Sequence, residues 1–312
     1  MEYPLPENRM IKEILGVHVW EKYGPVEWEE ELLAITLLSI LKWKKHHGRI
    51  ALYTNEEYLD LIKPYGIDQL YDYVDTETLT KVSPYVNKNR YWAFGKIHVA
   101  STITEPFVIL DNDLWINRPL ELDDNMSYVG YHYENFDSKK EDTPYVDFFN
   151  LIPPSMIGRW NREVLPTNTA LLWINNPDLL KEWVECATEI ASHPMQIEID
   201  DPKNLRRTVL IEQRLLPMIA AEKNLPYSTF IPQVYQTQNL SIGNGWEWEP
   251  HPSYWTEEQT NAFDSIRHIW GGKTLWSVND RIKRLMFDVA LMDFNEVQDE
   301  AKPFEVLISK LK

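Results

Sequence analysis

The feature that most constrains this chain is the order in which short apolar runs alternate with helical patterns. Residues 16–20 are β-branched and aromatic, and in residues 27–47 Leu33, Leu37, Leu38 and Leu41 recur at helical spacing. Glu27, Glu29, Glu30 and Glu31 fall in the first turns of that second stretch, Lys42, Lys44 and Lys45 in its last, and Gly48 follows. That placement suits the helix dipole and a glycine stop. Residues 50–54 then read as a strand, 56–63 as a helix ended by Pro64 and Gly66, and 70–74 as a third strand. A βαβαβ unit of this kind predicts an α/β fold with a mostly parallel sheet, whose ligands bind beyond the carboxyl ends of the strands.

The pattern continues with a helix over 90–102 and an apolar strand over 107–110 that runs into Asp111-Asn112-Asp113. Two carboxylates at alternate positions past a strand end can give one oxygen to a hard divalent cation and another to a sugar or a supporting partner. Strands are expected over 127–132 and 169–174, and helices over 177–192, 205–222 and 277–293. The mixed stretch 134–166 reads as an active-site loop region and 233–255 as irregular loop. Further on stands His268-Ile-Trp270-Gly271-Gly272-Lys273. An imidazole can complete a manganese shell, the glycines let backbone amides approach a phosphate, and the lysine adds positive charge.

Composition removes several classes of function. The net charge of −17 opposes generic attraction to nucleic acid or anionic lipid. Cys186 is the single cysteine, which excludes an internal disulfide and a thiolate zinc site and makes a reducing cytoplasm the expected compartment. The longest apolar run, 32–41, is interrupted by Thr36 and Ser39 and is half of the roughly 20 residues a membrane span needs.

With Asp111-Asn112-Asp113 upstream and His268, Gly271 and Lys273 downstream, the chain resembles the nucleotide-sugar glycosyltransferases of the GT-A fold. The glycogenin-like and lipopolysaccharide galactosyltransferase-like groups and the bacterial capsule-sugar transferases are the groups it is most similar to. Their intervening signature, an asparagine opening a buried strand and an acid beside Gln or Asp on a helix, has its counterparts in Asn168-Thr169-Ala170 and Glu212-Gln213. Thr169-Ala170 departs from the usual Ala-Gly, and Lys273 stands one residue early.

The resemblance implies a GT-A (Rossmann-like) catalytic domain over about 10–275 with a C-terminal helical extension over 276–312. It implies a manganese or magnesium ion held by Asp113, His268 and Asp111, bridging the phosphates of a nucleotide diphosphate sugar, with Lys273 assisting the leaving group. Donor contacts are expected from His18, Trp20, Thr54, Asn55, Lys96, Asn112, Asn168, Thr169, Gly271 and Gly272. Glu212 and Gln213 are expected near the reacting carbon, and the acceptor is expected to be a glycan or a lipid-linked sugar. The stereochemical course expected is retention. Two alternatives stand beside this reading: a haloacid-dehalogenase-like phosphatase, which also begins with Asp-x-Asp after an apolar strand, and a non-catalytic nucleotide-sugar or glycan binder using Trp246, Trp248 and Trp255.

Overall fold

The computed structural model describes residues 14–21, 29–134, 152–161, 163–193, 205–235, 265–269 and 280–312. Its centre is a seven-stranded sheet in the order β3-β2-β1-β4-β7-β6-β8. The strands are β1 (Leu15–Trp20), β2 (Ile50–Thr54), β3 (Tyr73–Asp75), β4 (Phe107–Leu110), β6 (Tyr128–Glu134), β7 (Leu171–Ile174) and β8 (Tyr227–Tyr235). β7 runs antiparallel to both its neighbours, β4 and β6, and the other four pairings are parallel. The sheet is therefore mostly parallel, as its alternation with helices predicts.

Consecutive strand residues feed opposite faces. Val108 and Leu110 of β4 join one core with α1 (Glu29–His47), which contributes Leu33, Leu37, Leu38 and Leu41. Phe107 and Ile109 join the other, with α3 (Phe94–Ala100) and α4 (Pro177–Ser192), which contribute Ile97, Leu179 and Trp183. Helices on both faces explain why β2, β4 and β7 are buried at every position. Trp43 of α1 packs against β1, so close that a Cβ on Gly16 would collide with its indole ring. The indole nitrogen donates to the Arg49 carbonyl at 2.9 Å.

Several expected boundaries move. The helix expected over 90–102 is the shorter α3, with turns on either side, and the third strand shifts to β3 because residues 67–70 wind into a 3-10 turn. β8 was not anticipated. It contains Pro232, which cannot donate to a ladder, and it is tolerated because β8 lies at the sheet edge. A second, two-stranded sheet pairs β5 (Leu114–Ile116) with β9 (Ile266–His268), and three residues are too few to show periodicity.

The helix expected over 205–222 is present as α5 (Leu205–Val209), a π-turn over Leu210–Arg214 and α6 (Leu215–Glu222). The C-terminal α7 (Asp280–Phe294) inserts Met286, Phe287, Ala290 and Phe294 into the core shared with α1. Lys42, fully buried on α1, closes that contact through Glu296 at 2.8 Å. Among the described residues no helix is long and apolar enough to cross a membrane.

Candidate active site

Beyond β4 the chain turns sharply: the Asp111 amide donates to the Ala170 carbonyl at 2.7 Å, and the Leu114 amide returns to the Asp111 carbonyl at 3.0 Å. β5 then begins at Leu114, which stands opposite His268 of β9 in antiparallel register. One more backbone bond, from the Ile269 amide to the Asp113 carbonyl at 3.1 Å, locks this crossing. The imidazole is thereby delivered to the two acids. Nε2 of His268 lies 3.5 Å from Oδ1 of Asp113 and 3.8 Å from Oδ2 of Asp111.

These three side chains form a cluster with one ligand atom from each, all within 4.8 Å of one another. Separations of 3.5 and 3.8 Å exceed hydrogen-bond length, but they match donors that each lie about 2.1 Å from a shared ion, which fall roughly 3–4 Å apart. Two carboxylate oxygens and one imidazole nitrogen suit manganese, and with its preference for oxygen also magnesium. Asp113 and His268 are buried while Asp111 is about one-third exposed, so the open side of the cluster faces a cleft. The residues present fit a divalent cation.

That cleft has a volume of about 370 Å³ and lies at the carboxyl ends of β1 and β4. Lys96 of α3 reaches into it and forms ion pairs with Oδ1 of Asp111 at 2.8 Å and Oε1 of Glu212 at 2.6 Å. Burial alone would lower the Lys96 pKa, but the charges of Asp111 and Glu212 overcome it and hold the ammonium above its usual range. The same Glu212 oxygen accepts from the Thr169 hydroxyl at 2.7 Å. Glu212 sits in the π-turn, a widened helical turn of a kind often found at functional sites. Gln213 follows it on the cleft wall.

Other expected site residues divide between the cleft and the scaffold. Trp20 and Asn168 line the cleft, and so does Asn112, which also donates to the Thr36 hydroxyl at 3.3 Å. The Asn168 side chain is engaged on both ends: its oxygen takes the Ala170 amide and its nitrogen donates to buried Glu134 at 3.0 Å. His18 is fully buried and does not line the cleft; its ring nitrogens meet Tyr71 and Ser39. Thr54, also buried, donates to the Trp20 carbonyl, and Asn55 caps α2 (Glu56–Ile62) by accepting from the Tyr58 amide. These three have packing and capping tasks in the fold. Gly271, Gly272 and Lys273 lie outside the described residues, as do most of the two expected loop regions and Trp246, Trp248 and Trp255.

A family model described as a family of unknown function, DUF6734, matches residues 18–252. The chain belongs to that family. None of the curated proteins matches this DUF6734 chain. Among solved structures it is similar to an active-site mutant of LgtC, at 11% identity and a TM-score of 0.41 over 82% of this chain and 86% of that one. It is also similar to the PaToxG glycosyltransferase, at 8% identity and a TM-score of 0.40 over 68% and 69% of the two chains. A third likeness is to the galactosyltransferase LgtC in complex with donor and acceptor sugar analogs, at 12% identity and a TM-score of 0.36 over 69% and 73%.

The cleft of the DUF6734 chain also contains residues that sequence reasoning passed over. Glu21 lines it directly after β1, held by Lys88 at 3.0 Å, and Trp92 lines it with half its surface exposed. Glu21 was findable, since it follows a buried strand just as Asp111 does. Trp92 carries no such mark. Glu134 is invisible in sequence because its role depends on β6 lying beside the 166–170 segment.

Proposed function

We propose that this protein is a divalent-cation-dependent glycosyltransferase acting on a nucleotide diphosphate sugar. The observation that carries the reading is the convergence of Asp111, Asp113 and His268 at the strand ends, with Lys96 and Glu212 beside them in one cleft. Four carboxylates, Glu21, Asp111, Asp113 and Glu212, line the cleft with Lys96, so a bare diphosphate would meet repulsion there. A cation bound by Asp111, Asp113 and His268 would offset that negative charge and supply neutralising charge for a departing diphosphate.

The chain's own groups then have defined tasks. Lys96 offers a fixed ammonium beside the cation site, and Glu212 with the Thr169 carbonyl sets where that ammonium points. Glu212 has one oxygen shared by Lys96 and Thr169 and is 5% exposed, an arrangement that spends the carboxylate on orientation. It is therefore poorly placed to take a proton from an acceptor hydroxyl. The course we propose is retention of anomeric configuration, with Glu212 and Gln213 supporting the sugar's reacting face, and the acceptor we propose is a glycan or lipid-linked sugar. Lys273 is proposed to assist the departing diphosphate, and Gly271 and Gly272 to let backbone amides approach its phosphates.

The test is consumption of a panel of nucleotide diphosphate sugars by the full chain with and without manganese, followed by proton NMR of the first product. Manganese-dependent turnover with the donor's configuration retained supports the reading. An inverted product overturns retention and makes Glu212 the base. Binding of the donor without turnover under any condition supports a non-catalytic binder instead.

A further inference from the structure

Inside the apolar stretch of α1 two hydroxyls, Thr36 and Ser39, are completely buried. They lie three residues apart and so share one helical face. Buried hydroxyls are costly unless bonded, and a helix needing only to pack would carry aliphatic residues there. Both are bonded at the acid loop. Thr36 donates to the Leu32 carbonyl at 2.9 Å and accepts from the Asn112 side-chain amide at 3.3 Å. Ser39 donates to the carbonyl of Leu114, the residue that opens β5.

The direction of the remaining bonds follows from that one. Ser39 has a single proton, which the Leu114 carbonyl takes, so the contact between Ser39 and Nε2 of His18 at 3.1 Å must have the imidazole donating. A neutral imidazole protonated at Nε2 has its lone pair at Nδ1, which accepts the Tyr71 hydroxyl at 2.8 Å. The result is a directed chain from Tyr71 through His18 and Ser39 to Leu114. It reaches the acid loop on its C-terminal side, while Thr36 holds the middle at Asn112.

We propose that Thr36, Ser39, His18 and Tyr71 are positioning residues that fix the Asp111-to-Leu114 turn from beneath, so that Asp111 and Asp113 keep the spacing a cation requires. The proposal rests on the cation reading above for its purpose and on the hydrogen-bond chain for its existence. It gives a task to the two polar residues that interrupt the apolar run of α1 and to a histidine that does not line the cleft.

Two readouts on the full chain separate these parts. Amide hydrogen exchange over residues 111–114 reports the turn itself. It is expected to quicken at least tenfold in Ser39→Ala and in Thr36→Val, and to stay at the wild-type rate in Thr36→Ser, which keeps the hydroxyl, and in Ile40→Val, a core change in the same helix. Manganese titration by calorimetry reports the purpose, with affinity expected to fall 10–100-fold in the first two variants, as for lost supporting contacts at a metal site. Unchanged exchange in both Ser39→Ala and Thr36→Val overturns the proposal even if the wild type binds manganese. Quickened exchange with unchanged manganese affinity overturns the positioning role. Quickened exchange in a chain whose wild type binds no manganese leaves the hydrogen-bond chain standing and sinks the cation reading.

Discussion

Leu114 stands directly opposite His268 in the antiparallel pair of β5 and β9, and this pairing places the His268 imidazole 3.5 Å from Asp113. The cluster of Asp111, Asp113 and His268 therefore depends on the register of two three-residue strands that are distant in sequence. A one-residue slip would turn His268 to the opposite face, because side chains alternate along a strand.

His268→Ala is expected to weaken manganese binding by at least tenfold, about 1.4 kcal/mol, with little effect on thermal stability. Calorimetric titration of the variant against the wild type measures it; equal affinities would remove His268 from the cluster.

Removing Lys96 leaves Asp111 and Glu212 facing each other without their shared cation. Lys96→Ala is expected to cost roughly 3 kcal/mol at neutral pH, the range for breaking a buried pair on one side. Urea unfolding of the variant against the wild type at neutral pH tests this, and equal stabilities would contradict it.

Burial drives the His18 imidazole down from 6.5 to about 3, against an opposing pull from the charge of Asp113. Between those limits the unfolded chain binds a proton that the native chain refuses, so stability is complete above pH 6.5 and falls as the pH drops. Burial lowers His132 in the same way. His18→Gln should therefore flatten the stability profile below pH 6 by up to about 1.4 kcal/mol per pH unit. An unchanged slope would show that His18 titrates normally in the fold.

Gly16→Ala is expected to destabilise by about 1–3 kcal/mol, because the new methyl would meet the Trp43 indole held on the Arg49 carbonyl. Wild-type stability in this variant would mean that Trp43 is free to shift.

What the sequence made legible was whatever it expresses locally. The strands β1, β2 and β4 and the helices α1 and α4 each carry their own periodicity, caps or apolar runs. Asp111 and Asp113 were readable because they follow an apolar strand, and His268 because it sits in a short recognisable pattern. What stayed hidden depends on the partner across space. β5 and β9 are too short to show a period, and β8 is disguised by Pro232 at a sheet edge. Glu134 matters through Asn168, and His18 looks like a ligand residue at a strand end until Ser39 and Tyr71 are seen to enclose it. Thr36 and Ser39 read only as breaks in an apolar run, because their partners lie on a loop far along the chain.

The central claim is that Asp113 serves a cation that in turn serves a nucleotide diphosphate. The most direct measurement is calorimetric titration of nucleotide diphosphates into the wild type and Asp113→Asn, each with and without manganese. The account predicts tight binding in the wild type with manganese only, and none above background in Asp113→Asn, whose circular dichroism should match the wild type. Binding that is equal with and without manganese, or equal in the folded Asp113→Asn variant, would contradict it.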